Sequence, residues 1–282
     1  MISPSHTRFD YVTVGHVTRD QIEDGTDNVS FQPGGSAFYS ALQAARLGLR
    51  TLILTKGIPS EIEALLGPYL DEFELQVIPA QQTTTLSTRG TGATRTQHVL
   101  AWAGAIVEPM QLDTAILHLA PIARETPVSW GGCADFIGIT PQGLIRHWGQ
   151  SKDISLVQLD PALLPHSFDA AVLSEHERES CHSLFSAAYR CDAPIAITAG
   201  SMPTSVHLPV AADESIVQTI LPPQVLPRDD LGAGDVFAAA FFIALSDGRD
   251  PLQAAAFANA AAAIRIAGTG PDAIGRSAAI IP

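Results

Sequence analysis

The chain has 282 residues, 46% apolar and 16% charged, enough for one large α/β domain or two small ones with a sizeable core and too apolar for general disorder. Its formal net charge is −13 and its only lysines are Lys56 and Lys152, a balance that repels nucleic acid and anionic membrane. Three cysteines (Cys133, Cys181, Cys191) show no Cys-x-x-Cys spacing, no run approaches ~18 apolar residues, and Met1 to Phe9 lack the apolar stretch of a secretion signal. A soluble, cytoplasmic protein without a disulfide framework is expected.

In chain order, Tyr11-Val-Thr-Val-Gly15 alternates and is β-branched, so it reads as a first strand. It leads into His16-Val-Thr-Arg-Asp20, which places the Asp20 carboxylate where open α/β sheets bind ligands, although taken alone Asp20 reads first as a loop residue. Gly34-Gly35 then opens a helix rich in alanine (Ala41, Ala44, Ala45) that ends at Gly48. A second buried strand follows at 51–55, a helix at 60–70 and a strand at 73–79. Residues 83–102 are polar and threonine-rich and read as a hairpin turning near Gly90 and Gly92, outside the main core. Arg95 on its return strand could reach a ligand or simply be solvated.

From 112 onward, apolar runs at 115–119, 134–139, 154–159, 170–173 and 194–198 predict strands alternating with helices, hence a mostly parallel sheet. Ser174-Glu-His-Glu177 has capping-box spacing, which accounts for Glu177 structurally. Cys181-His182 beside His176 reads as part of a helical segment and not as a zinc site. No Gly-x-x-x-x-Gly-Lys-Ser/Thr run is present, so any nucleotide must be held by backbone N–H groups, a few arginines and a metal ion.

The most informative stretch is Arg228-Asp-Asp-Leu-Gly-Ala-Gly-Asp-Val-Phe237 and the apolar run to Leu245. It predicts a buried helix whose N-terminus is Gly232-Ala-Gly-Asp235, with the free N–H groups of the first turn forming an anion site. Asp235 stands at the same spot. A carboxylate there either answers the helix dipole or accepts a proton from a hydroxyl that attacks a phosphoryl group. A last apolar helix over 250–268 carries Asn259, and packing by small residues explains most of its alanines.

Asp229-x-x-Gly232-Ala-Gly-Asp235-x-Phe237 resembles the C-terminal signature of the ribokinase-like (phosphofructokinase-B) carbohydrate kinases, and Gly34-Gly35…Arg46-Leu-Gly48 resembles their N-terminal one. The resemblance runs from Gly15 to about Gly270. It implies a single domain (1–282) with a three-layer α/β/α fold, a mostly parallel central sheet and a small β lid contributed mainly by about 84–102. It further implies an ATP- and Mg²⁺-dependent kinase. Asp235 would be the catalytic base and Gly232, Ala233 and Gly234 the anion hole. Asp20, Gly34, Gly35, Tyr39 and Arg95 would hold substrate. Thr198, Gly200, Asp229 and Asn259 would hold the nucleotide, with Glu177 acting on the metal through water.

Two positions depart from the pattern: Tyr39 stands for the family's substrate-contacting Asn, and Asp230 for a Thr. A weaker likeness, including Leu144-Ile-Arg146, is to the myo-inositol kinases. The pocket chemistry implies a neutral polyol as small-molecule partner, with nucleoside kinase or a non-catalytic sugar or nucleotide binder as alternatives. A homodimer through the lid would follow the family's habit.

Overall fold

The computed structural model describes residues 8–23, 29–89, 96–211 and 214–280. In chain order its strands are β1 (Phe9–Val14), β2 (Thr18–Glu23), β3 (Val29–Gly34), β4 (Thr51–Gly57), β5 (Glu74–Pro79), β6 (Thr85–Arg89), β7 (Thr96–Ala101), β8 (Thr114–Leu119), β9 (Ala134–Ile139), β10 (Arg146–His147), β11 (Ser155–Leu156), β12 (Ala170–Ser174), β13 (Ile195–Ala199), β14 (Met202–Ala211) and β15 (Glu214–Ile220). The α-helices are α1 (Ser36–Arg46), α2 (Pro59–Leu66), α3 (His182–Cys191), α4 (Ala233–Ser246) and α5 (Pro251–Ala267).

Nine strands form the central sheet in the order β15-β14-β13-β12-β9-β8-β1-β4-β5. It is parallel from β13 to β5, and β14 and β15 are added antiparallel at one edge. The inner strands are apolar on both faces, as a sheet covered on both sides requires. Tyr11, Ile53 and Ile116 meet α1, α4 and α5 on one face, while Val12, Val14, Leu52, Leu54, Leu117 and Leu119 turn to the other. Phe237, Phe241 and Phe242 of α4 are all buried, which is why that helix shows no polar stripe. Full burial of each ring contributes roughly 1.5–3 kcal/mol. The opposite face is covered by α3 over β12 and β13, and by irregular segments around Ile106 and Leu112 over β1, β4 and β8.

Two expectations fail in the middle of the chain. Residues 154–159 do not enter the central sheet, because β12 pairs directly with β9 and leaves no slot between them. Only Ser155–Leu156 is extended there, paired with β10. The predicted strand–helix alternation also lapses between β8 and β12, where the connections are irregular or 3-10 turns interrupted by Pro121, Pro127 and Pro141. β14 and β15 were not foreseen at all. Their alternation is interrupted by Pro209, and β15 is largely exposed.

A second, four-stranded sheet has the order β3-β2-β6-β7. Half of it comes from residues 18–34 and half from 85–101, so the Asp20 segment, read from sequence as a loop, is a strand of this sheet. The outer strand β7 is tied to residues 152–154: Val99 N–H donates to the Lys152 carbonyl (2.9 Å), Ile154 N–H to the Gln97 carbonyl (3.0 Å), and His98 lies 2.8 Å from Asp153. The hairpin turn with Gly90 and Gly92, and Arg95, lie outside the described residues. No helix among the described residues is long and apolar enough to cross a membrane.

Candidate active site

A cavity of about 640 Å³ opens at the carboxyl ends of the central strands, the usual ligand position in an open α/β sheet. On one side it is lined by Asp20, Leu86 and Gln97 of the small sheet and by Gly35, Ser36 and Tyr39 at the start of α1. On the other it is lined by Thr198, Gly200 and Thr204, by the 222–227 strip and by Asn259, Ala262, Ala263 and Ile266. Asp230 through Asp235 also line it, so the N-terminus of α4 faces the cavity.

Gly232 caps α4 in a left-handed conformation, φ 76°, and no side chain caps the helix. The first-turn N–H groups therefore have no side-chain acceptor and give the positive end of the helix to the cavity. A Cβ on Gly232 would stand 2.2 Å from Cδ1 of the Tyr39 ring, so glycine is required twice, by its φ and by the ring against it.

Asp235 keeps partial access to the cavity while protein encloses its carboxyl. Burial pushes that carboxyl up to about 6. The Ser36 hydroxyl and the Arg146 guanidinium oppose the rise, and Glu177 and Asp20 add to it. Ser36 Oγ acts here without closing a short hydrogen bond, since it has no partner within bonding distance.

Asp20 is only 5% exposed and accepts a hydrogen bond from Thr18 Oγ1 (2.7 Å). Gly34 does not line the cavity. A Cβ there would meet Asp20 Oδ2 at 2.1 Å, so its part is to leave room for the carboxylate. Glu177 fills its structural reading and also reaches the cavity. Its Oε2 accepts from Ser174 N–H (2.8 Å) in a complete capping box, and the residue also lines the cavity. Asn259 Oδ1 accepts from Thr204 Oγ1 (2.9 Å), which leaves its buried Nδ2 without a protein partner.

Two further assignments change. Asp229 is absent from the cavity wall. Its carboxylate accepts from Arg265 (2.7 Å), Gly270 N–H (2.9 Å) and Leu231 N–H (3.0 Å), so it holds the loop instead of a nucleotide. Tyr39 reaches the cavity at only 2% exposure, and its ring packs on Gly232. Arg95 lies outside the described residues.

The sequence reading missed Arg146 as a site residue. It is buried, and it is the one cation among the described residues of the lining. Its guanidinium donates to the Ile122 carbonyl (3.0 Å) and to Gln97 Oε1 (2.9 Å). Burial lowers its pKa, and the fields of Glu177, Asp235, Asp20 and Glu125 oppose that. The arginine ending Gly143-Leu-Ile-Arg146 was visible, but only folding shows it facing carboxylates from four distant segments.

Residues 162–276 match the model described as pfkB family carbohydrate kinase. Among curated proteins no sequence match is found. Solved structures match nearly the whole chain. A pyrophosphate-dependent kinase in the ribokinase family, complexed with a pyrophosphate analog and myo-inositol, gives a TM-score of 0.70 at 18% identity, over 93% of this chain and 96% of its own. Fructokinase from Vibrio cholerae O395, with fructose, ADP and calcium bound, gives 0.70 at 21%, over 96% and 97%. Arabidopsis thaliana ribokinase complexed with ribose and ATP gives 0.66 at 18%, over 97% of each chain. At such identities the likeness carries the fold. The matched segment holds Glu177, Thr198, Gly200, Asn259 and the whole 229–235 loop, so this part of the chain is similar to the pfkB family of carbohydrate kinases.

Proposed function

We propose that the protein transfers the γ-phosphoryl group of ATP to a hydroxyl of a neutral polyhydroxylated ring, a cyclitol or a free sugar. The observation that carries this is the placement of Asp235, a carboxyl raised to about 6, in the first turn of an uncapped helix facing the cavity that also holds Asp20. Asp20 accepts hydrogen bonds from acceptor hydroxyls and orients one of them. Asp235 takes that hydroxyl's proton as the oxygen attacks, and the N–H groups at the head of α4 bind the charge spreading over the phosphoryl oxygens. Arg146 supplies a fixed positive charge beside Asp235 and Asp20.

Charge supports a neutral acceptor. Among the described residues, Asp20, Glu177, Asp230 and Asp235 line the cavity against Arg146 alone, a set that repels a sugar phosphate. A neighbour in fold was solved with myo-inositol, which fits the cyclitol choice.

The lining also favours ATP over pyrophosphate as donor. Pro222, Pro223, Val225, Ala262, Ala263 and Ile266 offer an apolar slot that a base would cover, and Asn259 Nδ2 offers it a donor. Pyrophosphate would leave both unused. Among the described residues no group of three or more His, Cys, Asp or Glu makes a ready metal cage. Glu177 and Asp230 nevertheless suit a hard divalent cation that arrives with the nucleotide, held mainly by its phosphates. Such an ion, when bound, neutralises the phosphate oxygens.

The test is turnover with Mg²⁺ on a panel of myo-inositol, free sugars, nucleosides and sugar phosphates, with ATP and pyrophosphate as donors. A kcat/KM at least about tenfold higher for a neutral cyclitol or sugar with ATP is expected, the margin a few well-placed polar contacts provide. A tenfold preference for a sugar phosphate or for pyrophosphate would overturn the corresponding half of the reading.

The small sheet should act as a lid. Leu86 and Gln97 already line the cavity, so saturating acceptor should slow amide exchange in β6 and β7. Unchanged exchange in both strands would make that sheet a fixed wall.

A further inference from the structure

The loop that carries the anion site is braced from behind the cavity by Arg265 and Asp229, neither of which lines it. Arg265, on the last turn of α5, is 0% exposed, and its Nη2 donates to Asp229 Oδ2 at 2.7 Å. Its Nη1 donates to the Asp229 carbonyl at 3.3 Å. The same guanidinium carbon lies 5.7 Å from the centroid of the Tyr39 ring, whose face abuts Gly232. Asp229 also takes the Gly270 and Leu231 N–H groups, and the Ile266 carbonyl accepts from Arg228 and Asp229 N–H. Against the cost of burial, these donors hold the Asp229 carboxyl below its ordinary range.

Each contact grips one part of the same short loop. Asp229 fixes its start, and the Tyr39 ring fixes its left-handed glycine. A buried arginine is costly to keep, and its Nε has no partner here. An apolar side chain would pack α5 more cheaply, so stability alone is a poor reason for a charge at this position.

We propose that Arg265 is the positioning residue of the anion site: through Asp229 at the start of the loop and Tyr39 under Gly232, it sets where the first-turn N–H groups of α4 point. The kinetic consequence rests on the kinase reading. The structural one does not. A misplacement of about 1 Å in such a site costs on the order of 100-fold in rate.

The experiment compares wild type, Arg265→Ala, Arg265→Lys and Asp229→Asn by steady-state kinetics with the preferred acceptor and by amide exchange. Arg265→Ala should lose about 100-fold in kcat, with acceptor KM changed less than about threefold, because Asp20 and Gly35 are untouched. Guanidinium at tens of millimolar should restore at least about tenfold of that loss, by refilling the space with the same planar cation. Exchange should quicken in 229–236 and stay unchanged in β1 and β4. Arg265→Lys keeps the charge without the fork and should fall between. Asp229→Asn breaks the pair from the other side and serves if the alanine variant does not fold.

A folded Arg265→Ala with kcat within threefold of wild type would overturn the proposal, as would exchange that quickens evenly along the chain. If wild type shows no phosphoryl transfer, the exchange arm decides alone: quickening confined to 229–236 supports the brace, and an unchanged loop sinks it.

Discussion

Replacing Asp235 by asparagine should lower kcat by ~10²–10⁴ while acceptor binding is largely kept, because the amide has the shape of the carboxylate but cannot take a proton. The pH dependence carries the same signature. Asp235 must be ionised to act, and its carboxyl sits at about 6, so kcat should rise with pH, reach half its plateau near 6 and stay flat above it. The asparagine variant should lose that limb.

Stability should respond with the opposite sign. The folded-state pKa lies above the ordinary aspartate value, so between about 4 and 6 the folded chain holds a proton that the unfolded chain has lost. Stability contributed by this group therefore falls as pH rises through that window, and the cost remains at neutral pH. Asp235→Asn removes it and should raise Tm at pH 7, by an amount corresponding to roughly 1–3 kcal/mol. A less active, more stable variant is the outcome expected of a residue kept for chemistry. Near wild-type turnover in Asp235→Asn would remove the residue from its role, and an unchanged Tm would show that its carboxyl is not held out of its ordinary range.

Arg146 carries the second large effect. Arg146→Met keeps an unbranched apolar stem and removes the one cation among the described residues of the cavity lining, in a place where Asp20, Glu177 and Asp235 all bear on it. A loss of ~10²–10³ in kcat is expected, the size found when a single preorganised electrostatic group is removed from a transition-state site. Because the Arg146 charge favours the ionised form of Asp235, the midpoint of the pH profile should also move upward. Arg146→Lys retains the charge but cannot serve the Ile122 carbonyl and Gln97 at once, so it should recover the pH midpoint better than the rate. Turnover within threefold of wild type in Arg146→Met, or an unmoved midpoint, would show that the guanidinium only ties β7 of the small sheet to the cavity floor.

Short-range chemistry was legible in the chain itself. The run from Gly232 to Leu245 dictates a buried helix with a glycine-rich, uncapped start, and the β-branched runs at 11–15, 51–55, 115–119 and 194–198 dictate inner strands. These depend on propensity and on apolar periodicity, both local properties. Asp20, Glu177 and Asp235 could be singled out for the same reason, as carboxylates at the ends of such elements. What stayed hidden depends on which segments meet. Residues 154–159 have a strand's pattern, but the direct pairing of β9 with β12 leaves them no place in the sheet. Asp229 reads as a ligand beside the glycines until Arg265, 36 residues later, is seen to take its carboxylate. Tyr39 reads as a platform for substrate until Gly232, on another helix, is found against its ring. Arg146 reads as an ordinary arginine after two apolar residues until the fold gathers carboxylates around it. A buried charge or a ring is defined by its partners, and partners far apart in sequence are chosen only when the sheet order and the helix packing are set.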